Sequence, residues 1–153
     1  MVEHVIRGLF VDLDDTLYDY EPCEKRGRAA LAELATARFN WSPAMFEEAF
    51  QTARKRVKER FSGPSGHHRL LYIVELLSAA GELDCLAITR EWERAYWSSY
   101  LDKAVLRHKT QSLLDDARAH GAKVAIVTDL VLEVQLWKLT HFDLFRSIDA
   151  LAV

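Results

Sequence analysis

At 153 residues the chain has one domain's length, enough to bury roughly 70% of the surface its unfolded form would expose. It is 50% hydrophobic and 28% charged, with 6 Gly and 3 Pro, which excludes disordered, collagen-like and low-complexity classes. The 20 basic and 23 acidic residues leave a net charge of −3, a field that favours neither nucleic acid nor an anionic membrane as partner. No apolar run approaches the ~18 residues needed to span a bilayer. Cys23 and Cys85 form neither a CxxC nor a metal-finger spacing, and without a signal-peptide pattern the expectation is a reducing, cytoplasmic setting.

Val5 to Leu13, rich in Val, Ile, Leu and Phe, reads as a mostly buried first strand. Helical segments follow. Pro22 suits a first turn, and Leu31, Leu34 and Ala35 share a face of a helix running to about Phe39, where Asn40-Trp41 breaks it. Ser42-Pro43 is an N-cap and first-turn pair for a second helix carrying Phe46, Phe50, Ala53, Val57 and Phe61, stopped by Gly63-Pro64. A third is expected from Gly66 to Ala80, with Gly81 beyond its end, and a fourth after Thr89, with Trp92, Tyr96 and Tyr100 on one face. Gln111 to His120 then precedes a second strand, Ala122 to Val127, and Leu130 to Thr140 precedes a possible third at Ile148 to Val153.

Strands separated by helical segments imply an α/β fold with a parallel sheet, whose ligands sit beyond the carboxyl ends of the strands. Both marked strands end in polar residues: Asp12-Leu13-Asp14-Asp15-Thr16 on the first, Thr128-Asp129 on the second. If the strands are neighbours, Asp12, Asp14 and Thr128 meet at one spot. Two carboxylates so placed repel, and a divalent cation can hold them together; their hard oxygens point to Mg²⁺. No His or Cys cluster proposes zinc or iron. With phosphate oxygens neutralised, one Asp can attack phosphorus while the other carries the leaving-group proton, and a Thr hydroxyl can hold the transferring oxygens.

The run Phe10-Val11-Asp12-Leu13-Asp14-Asp15-Thr16-Leu17-Tyr18 resembles the DxDx[TV] signature of the haloacid dehalogenase-like hydrolase superfamily, and Ala125-Ile126-Val127-Thr128 resembles its second signature. The helical stretch between them has the position of that family's cap. Gln135 and Lys138-Leu139 also fit its capped hydrolases. The resemblance implies a partial Rossmann-like core at residues 1–17 and 106–153 and an α-helical cap at 18–105. It implies Asp12 as the nucleophile that forms an aspartyl-phosphate, Asp14 as general acid and base, and Thr128 and Thr16 as substrate-binding residues. Mg²⁺ would be held by Asp12 and the main-chain carbonyl of Asp14, and the substrate would be a small phosphorylated metabolite. The Asp at the second signature position favours phosphatases over dehalogenases.

The family's third signature, a Lys, and its acidic fourth, which completes the metal site, lie farther beyond the second than this chain extends. Lys138 comes too soon after Thr128 to be that Lys, and Asp143 and Asp149 do not form a GDxxxD arrangement. The expectation is therefore a Mg²⁺-dependent phosphomonoesterase complete only with a missing C-terminal half. The competing reading is a non-catalytic, truncated chain that binds phosphate or protein. In either case the first strand would offer an open apolar edge for a second polypeptide or for self-association.

Other polar clusters read as ordinary surface. Asp15 and Asp19 suit a turn or hinge, and Asp129 a helix N-cap. Arg54-Lys55-Arg56, Lys58 and Arg60 fall off their helix's apolar stripe and read as a solvated face rather than a phosphate funnel. His67-His68 reads as surface, Trp92, Tyr96, Trp97 and Tyr100 as packing, and Lys25 and Arg26 carry no assigned role.

Overall fold

The computed structural model describes residues 6–153. In chain order these form β1 (Gly8–Val11), α1 (Tyr20–Phe39), α2 (Pro43–Arg60), α3 (Arg69–Ala79), α4 (Cys85–Lys103), α5 (Thr110–Ala119), β2 (Lys123–Val127), α6 (Leu132–His141) and β3 (Ala150–Ala152). Single 3-10 segments lie at Gly63–His67 and Leu144–Arg146. Contacts divide the chain into two compact units: Pro22–Lys103, which is all helical, and the residues on either side of it, which hold the sheet. No helix among the described residues is long and apolar enough to cross a membrane.

The sheet is parallel, in the order β1-β2-β3, as the alternation of strands and helices requires. Val11 pairs with Ile126, and Ile126 with Leu151. Val124 and Ile126 of the central strand are fully buried. The flanks are shorter than their apolar runs. Of the first run, Val5 lies outside the described residues, and Leu13 leaves the strand to begin a turn in which its carbonyl accepts from the Leu17 N–H at 3.0 Å. β1 pairs on one side only among the described residues, and its Phe10 is 78% exposed.

Asp149 fastens β3 to β2. Its N–H donates to the Val124 carbonyl at 2.7 Å, and its carboxylate accepts from the Val124 N–H at 2.9 Å, from Lys123 at 3.0 Å and from Arg118 at 3.2 Å. The Val124 N–H, then the Lys123 ammonium, hold this carboxyl below its usual range. A lowered folded-state pKa adds stability that is present above the unfolded carboxyl's pKa and lost as pH falls through the folded value. Asp149→Asn should therefore lower stability at pH 7, and its deficit against wild type should close below about pH 4. Urea unfolding at pH 7 and pH 3 measures this; a deficit independent of pH would contradict it.

In the helical unit, Pro43 opens α2 and the Ser42 hydroxyl accepts from the Met45 N–H at 3.3 Å. Phe46, Phe50, Ala53 and Val57 then recur at helical spacing, all buried. Tyr72, Ile73, Leu76 and Leu77 of α3 and Trp92, Tyr96, Trp97 and Tyr100 of α4 complete this core. Gly27 of α1 permits a close approach: a Cβ there would lie 2.7 Å from the buried Tyr96 ring. On the outer face Arg56 and Arg60 pair with Glu75 at 3.2 and 3.6 Å, and Lys55 with Glu59 at 3.9 Å.

In the helical unit two helix starts differ from the sequence reading. The third helix begins at Arg69 rather than Gly66, because Gly66 lies against the Phe61 carbonyl, where a Cβ would come within 2.6 Å, and its own carbonyl accepts from the Tyr72 hydroxyl at 2.6 Å. His68, read as plain surface, is instead this helix's N-cap, its ring nitrogen accepting from the Leu70 N–H at 3.3 Å. The fourth helix begins at Cys85, ahead of Thr89. Glu82 accepts from the Asp84 N–H at 3.1 Å, and the Asp84 carbonyl accepts from Ala87 at 2.9 Å, so the first turn closes earlier.

Candidate active site

Asp12 is the first residue past β1, exposed between the buried Val11 and Leu13. The chain then turns sharply. Asp15 takes a left-handed conformation, φ 59°, and accepts from the Tyr20 N–H at 2.9 Å. Asx residues tolerate that region and cap such turns with their own carboxylates. The same turn brings the Thr16 hydroxyl back to donate to Asp12 Oδ2 at 3.2 Å. Asp19 pairs with Arg107 at 2.6 Å, and both Asp15 and Asp19 are exposed, as the turn reading expects.

At the end of β2, the N–H of Thr128 donates to the Ala152 carbonyl at 3.0 Å, while its hydroxyl oxygen accepts from Gln135 Nε2 at 2.8 Å. Gln135 is fully buried, and its amide oxygen has no partner among the described residues. Since the Thr128 oxygen already accepts, its own proton can be donated elsewhere.

One turn along the same helix face, Lys138 donates from Nζ to both carboxylate oxygens of Asp14, at 2.6 and 2.8 Å. The Tyr18 hydroxyl also donates to Oδ1. Lys138 is 1% exposed, and its ammonium lies 5.7 Å from the Tyr18 ring centroid. A buried charge is tolerated when paired and hydrogen-bonded, and Asp14 meets both conditions. Thus α6 ties the turn after β1 to the end of β2: Lys138 holds Asp14 and Gln135 holds Thr128.

Lys138 is the residue that sequence reasoning undervalued, having set it aside as too near Thr128 to be a signature Lys. The available signal was a cation at helical spacing with apolar residues: Lys138 shares the buried face of α6 with Val134, Leu139 and the polar Gln135. Asp129 needs the opposite correction. It is not an N-cap, because α6 begins only at Leu132 with Val131 in the cap position and no capping side chain, and Asp129 is exposed.

The repulsion of paired carboxylates was the sequence argument for a divalent cation, but the countercharge facing the Asp14 carboxylate is Lys138. Among the described residues no group of three or more His, Cys, Asp or Glu could hold a metal. The exposed Asp12 carboxylate and the Asp14 main-chain carbonyl are the hard oxygens left to Mg²⁺. That ion commonly binds through one or two carboxylates plus substrate phosphate and water, so the donors present fit it.

The parallel sheet, the acidic turn at the end of β1, the hydroxyl at the end of β2 and the helical insertion between them are features of one fold. The chain has the fold of the haloacid dehalogenase-like hydrolase superfamily, with a helical cap inserted. Among proteins of known function it is similar to the ribulose-1,5-bisphosphate 5-phosphatase of Halopiger xanaduensis, at 33% identity over 148 residues, covering 93% of this chain and 60% of that protein. Among solved structures it is similar to the 2-haloacid dehalogenase of Pseudomonas syringae, with a TM-score of 0.72 and 19% identity over 96% of this chain and 63% of that one. It also matches the HAD hydrolase YfnB of Bacillus subtilis, solved bound to magnesium, with a TM-score of 0.61 and 19% identity over 97% of this chain and 63% of that one. The chain therefore spans a little under two thirds of each of these relatives. No protein-family model matches the sequence.

Proposed function

We propose that this chain carries the nucleophile and proton-transfer residues of a Mg²⁺-dependent phosphomonoesterase acting on a small phosphorylated metabolite. The observation that supports this best is the linkage through α6: a carboxylate held at both oxygens and a hydroxyl left with a free proton, beside an exposed aspartate. The similarity to a phosphatase of a sugar bisphosphate supports the same substrate class.

In this reading an Asp12 oxygen attacks phosphorus, the ester P–O bond breaks, and the departing oxygen takes a proton from Asp14. Water then attacks the aspartyl-phosphate and gives its proton to Asp14, and the Asp12 O–P bond breaks with its electron pair returning to the carboxylate. The Thr128 proton, turned outward by Gln135, donates to a phosphate oxygen, and the Thr16 hydroxyl fixes the rotamer of Asp12 as well as touching substrate. When bound by Asp12 and the Asp14 carbonyl, Mg²⁺ supplies neutralisation of phosphate charge. The reading assigns the flank of β1 that is unpaired among the described residues to further polypeptide bearing the family's Lys and acidic signatures.

The test is phosphate release by the full-length protein from p-nitrophenyl phosphate and from a sugar bisphosphate, before and after chelation. The reading expects hydrolysis that chelation abolishes and Mg²⁺ restores. No release in the presence of Mg²⁺, or release indifferent to chelation, overturns it.

A further inference from the structure

The two oxygens of Asp14 are not equivalent. Among the described residues, Oδ1 accepts from both Lys138 and the Tyr18 hydroxyl, whereas Oδ2 accepts from Lys138, at 2.8 Å. A carboxylate oxygen offers two lone-pair sites, so Oδ1 is saturated and Oδ2 keeps one open. Lys138 approaches both oxygens and so fixes the plane of the carboxyl group. Tyr18 is itself fully buried and packs on Phe142 with ring centroids 5.1 Å apart, which holds its hydroxyl in place. A buried ion pair is a poor device for stability, since apolar residues of similar volume often serve as well or better. Its value here lies in orientation.

We propose that Lys138 is a positioning residue for Asp14, leaving Oδ2 as the one atom that exchanges protons during the reaction. This rests on the phosphomonoesterase reading and deepens it. In the second half-reaction the water oxygen bonds to phosphorus, its proton passes to Oδ2, and the bond between phosphorus and Asp12 breaks. Without Lys138 the carboxyl is free to rotate about its Tyr18 contact, and the open lone pair no longer faces the incoming water.

p-Nitrophenyl phosphate isolates this step, because p-nitrophenolate departs without needing a proton and only the attacking water then depends on Asp14. In the full-length protein, Lys138→Met is expected to lower kcat on this substrate about 100-fold, the scale of general base catalysis. KM should fall with kcat, and a burst of p-nitrophenolate near one equivalent should precede the slow steady state as aspartyl-phosphate accumulates. Lys138→Arg, which keeps two donors on the carboxylate, should restore kcat to within about tenfold. A merely structural role would leave the rate per folded molecule unchanged and produce no burst. An active wild type with an unchanged kcat, or a reduced kcat without a burst, in the Lys138→Met enzyme overturns the role of Lys138 alone. An inactive wild type instead overturns the phosphomonoesterase reading and this inference with it.

Discussion

Asparagine in place of Asp12 is expected to abolish phosphomonoester hydrolysis by the full-length protein, with a loss on the order of 10⁴-fold or more, as for removal of other enzymic nucleophiles. The amide differs by one heavy atom but is neutral and a poor nucleophile, so the covalent route closes while the fold is untouched. Asp12 is exposed and its side chain accepts a long hydrogen bond from Thr16 at 3.2 Å, so stability should change little. Circular dichroism and the unfolding midpoint should match wild type while phosphate release disappears. An Asp12→Asn protein that still turns over would place the nucleophile elsewhere.

The second large effect lies in the helical unit. Tyr96 is fully buried between Trp97 and Tyr100, with ring centroids 4.9 and 6.0 Å away, and it faces Gly27. Its hydroxyl accepts from Arg69 Nε at 3.2 Å, and the Arg69 guanidinium lies 6.0 Å from its ring centroid. Tyr96→Ala opens a cavity against a glycine that cannot fill it and removes a partner from a buried cation. The expected cost is about 3–5 kcal/mol, typical of large aromatic truncations. Tyr96→Phe keeps the ring and loses the hydrogen bond from a charged donor, about 1.5 kcal/mol. Urea unfolding followed by tryptophan fluorescence reads both, and equal losses in the two variants would show that the hydroxyl rather than the packing dominates.

Those two residues show how differently a candidate site and a packed core are written in the chain. Asp12 and Asp14 were legible because an apolar strand ended abruptly in alternate carboxylates, and Thr128 because a second such strand ended in a hydroxyl. Tyr96 was legible from its helical spacing with Trp92 and Tyr100, although Gly27, the residue that makes room for it, carries no pattern of its own. Lys138 was visible only as a cation at helical spacing with apolar residues; that it meets Asp14 depends on where α6 packs, which no local pattern fixes. The 3-10 segment at Gly63–His67 likewise follows from crowding of Gly66 against Phe61, a tertiary contact that helix propensity does not register. Asp129 was misassigned because an Asp ahead of an apolar run resembles a cap, yet the helix delays its first turn to Leu132.

The central claim concerns a covalent bond between phosphorus and one particular side chain, and it can be tested chemically. Full-length protein is mixed with Mg²⁺ and a phosphomonoester, quenched during turnover and treated with borohydride, which reduces an acyl phosphate to an alcohol and so converts the phosphorylated aspartate to homoserine. Peptide mass spectrometry then locates the modified residue. The account predicts homoserine at position 12 and an unmodified Asp14. Homoserine at position 14, or turnover with no homoserine in this turn, would contradict it.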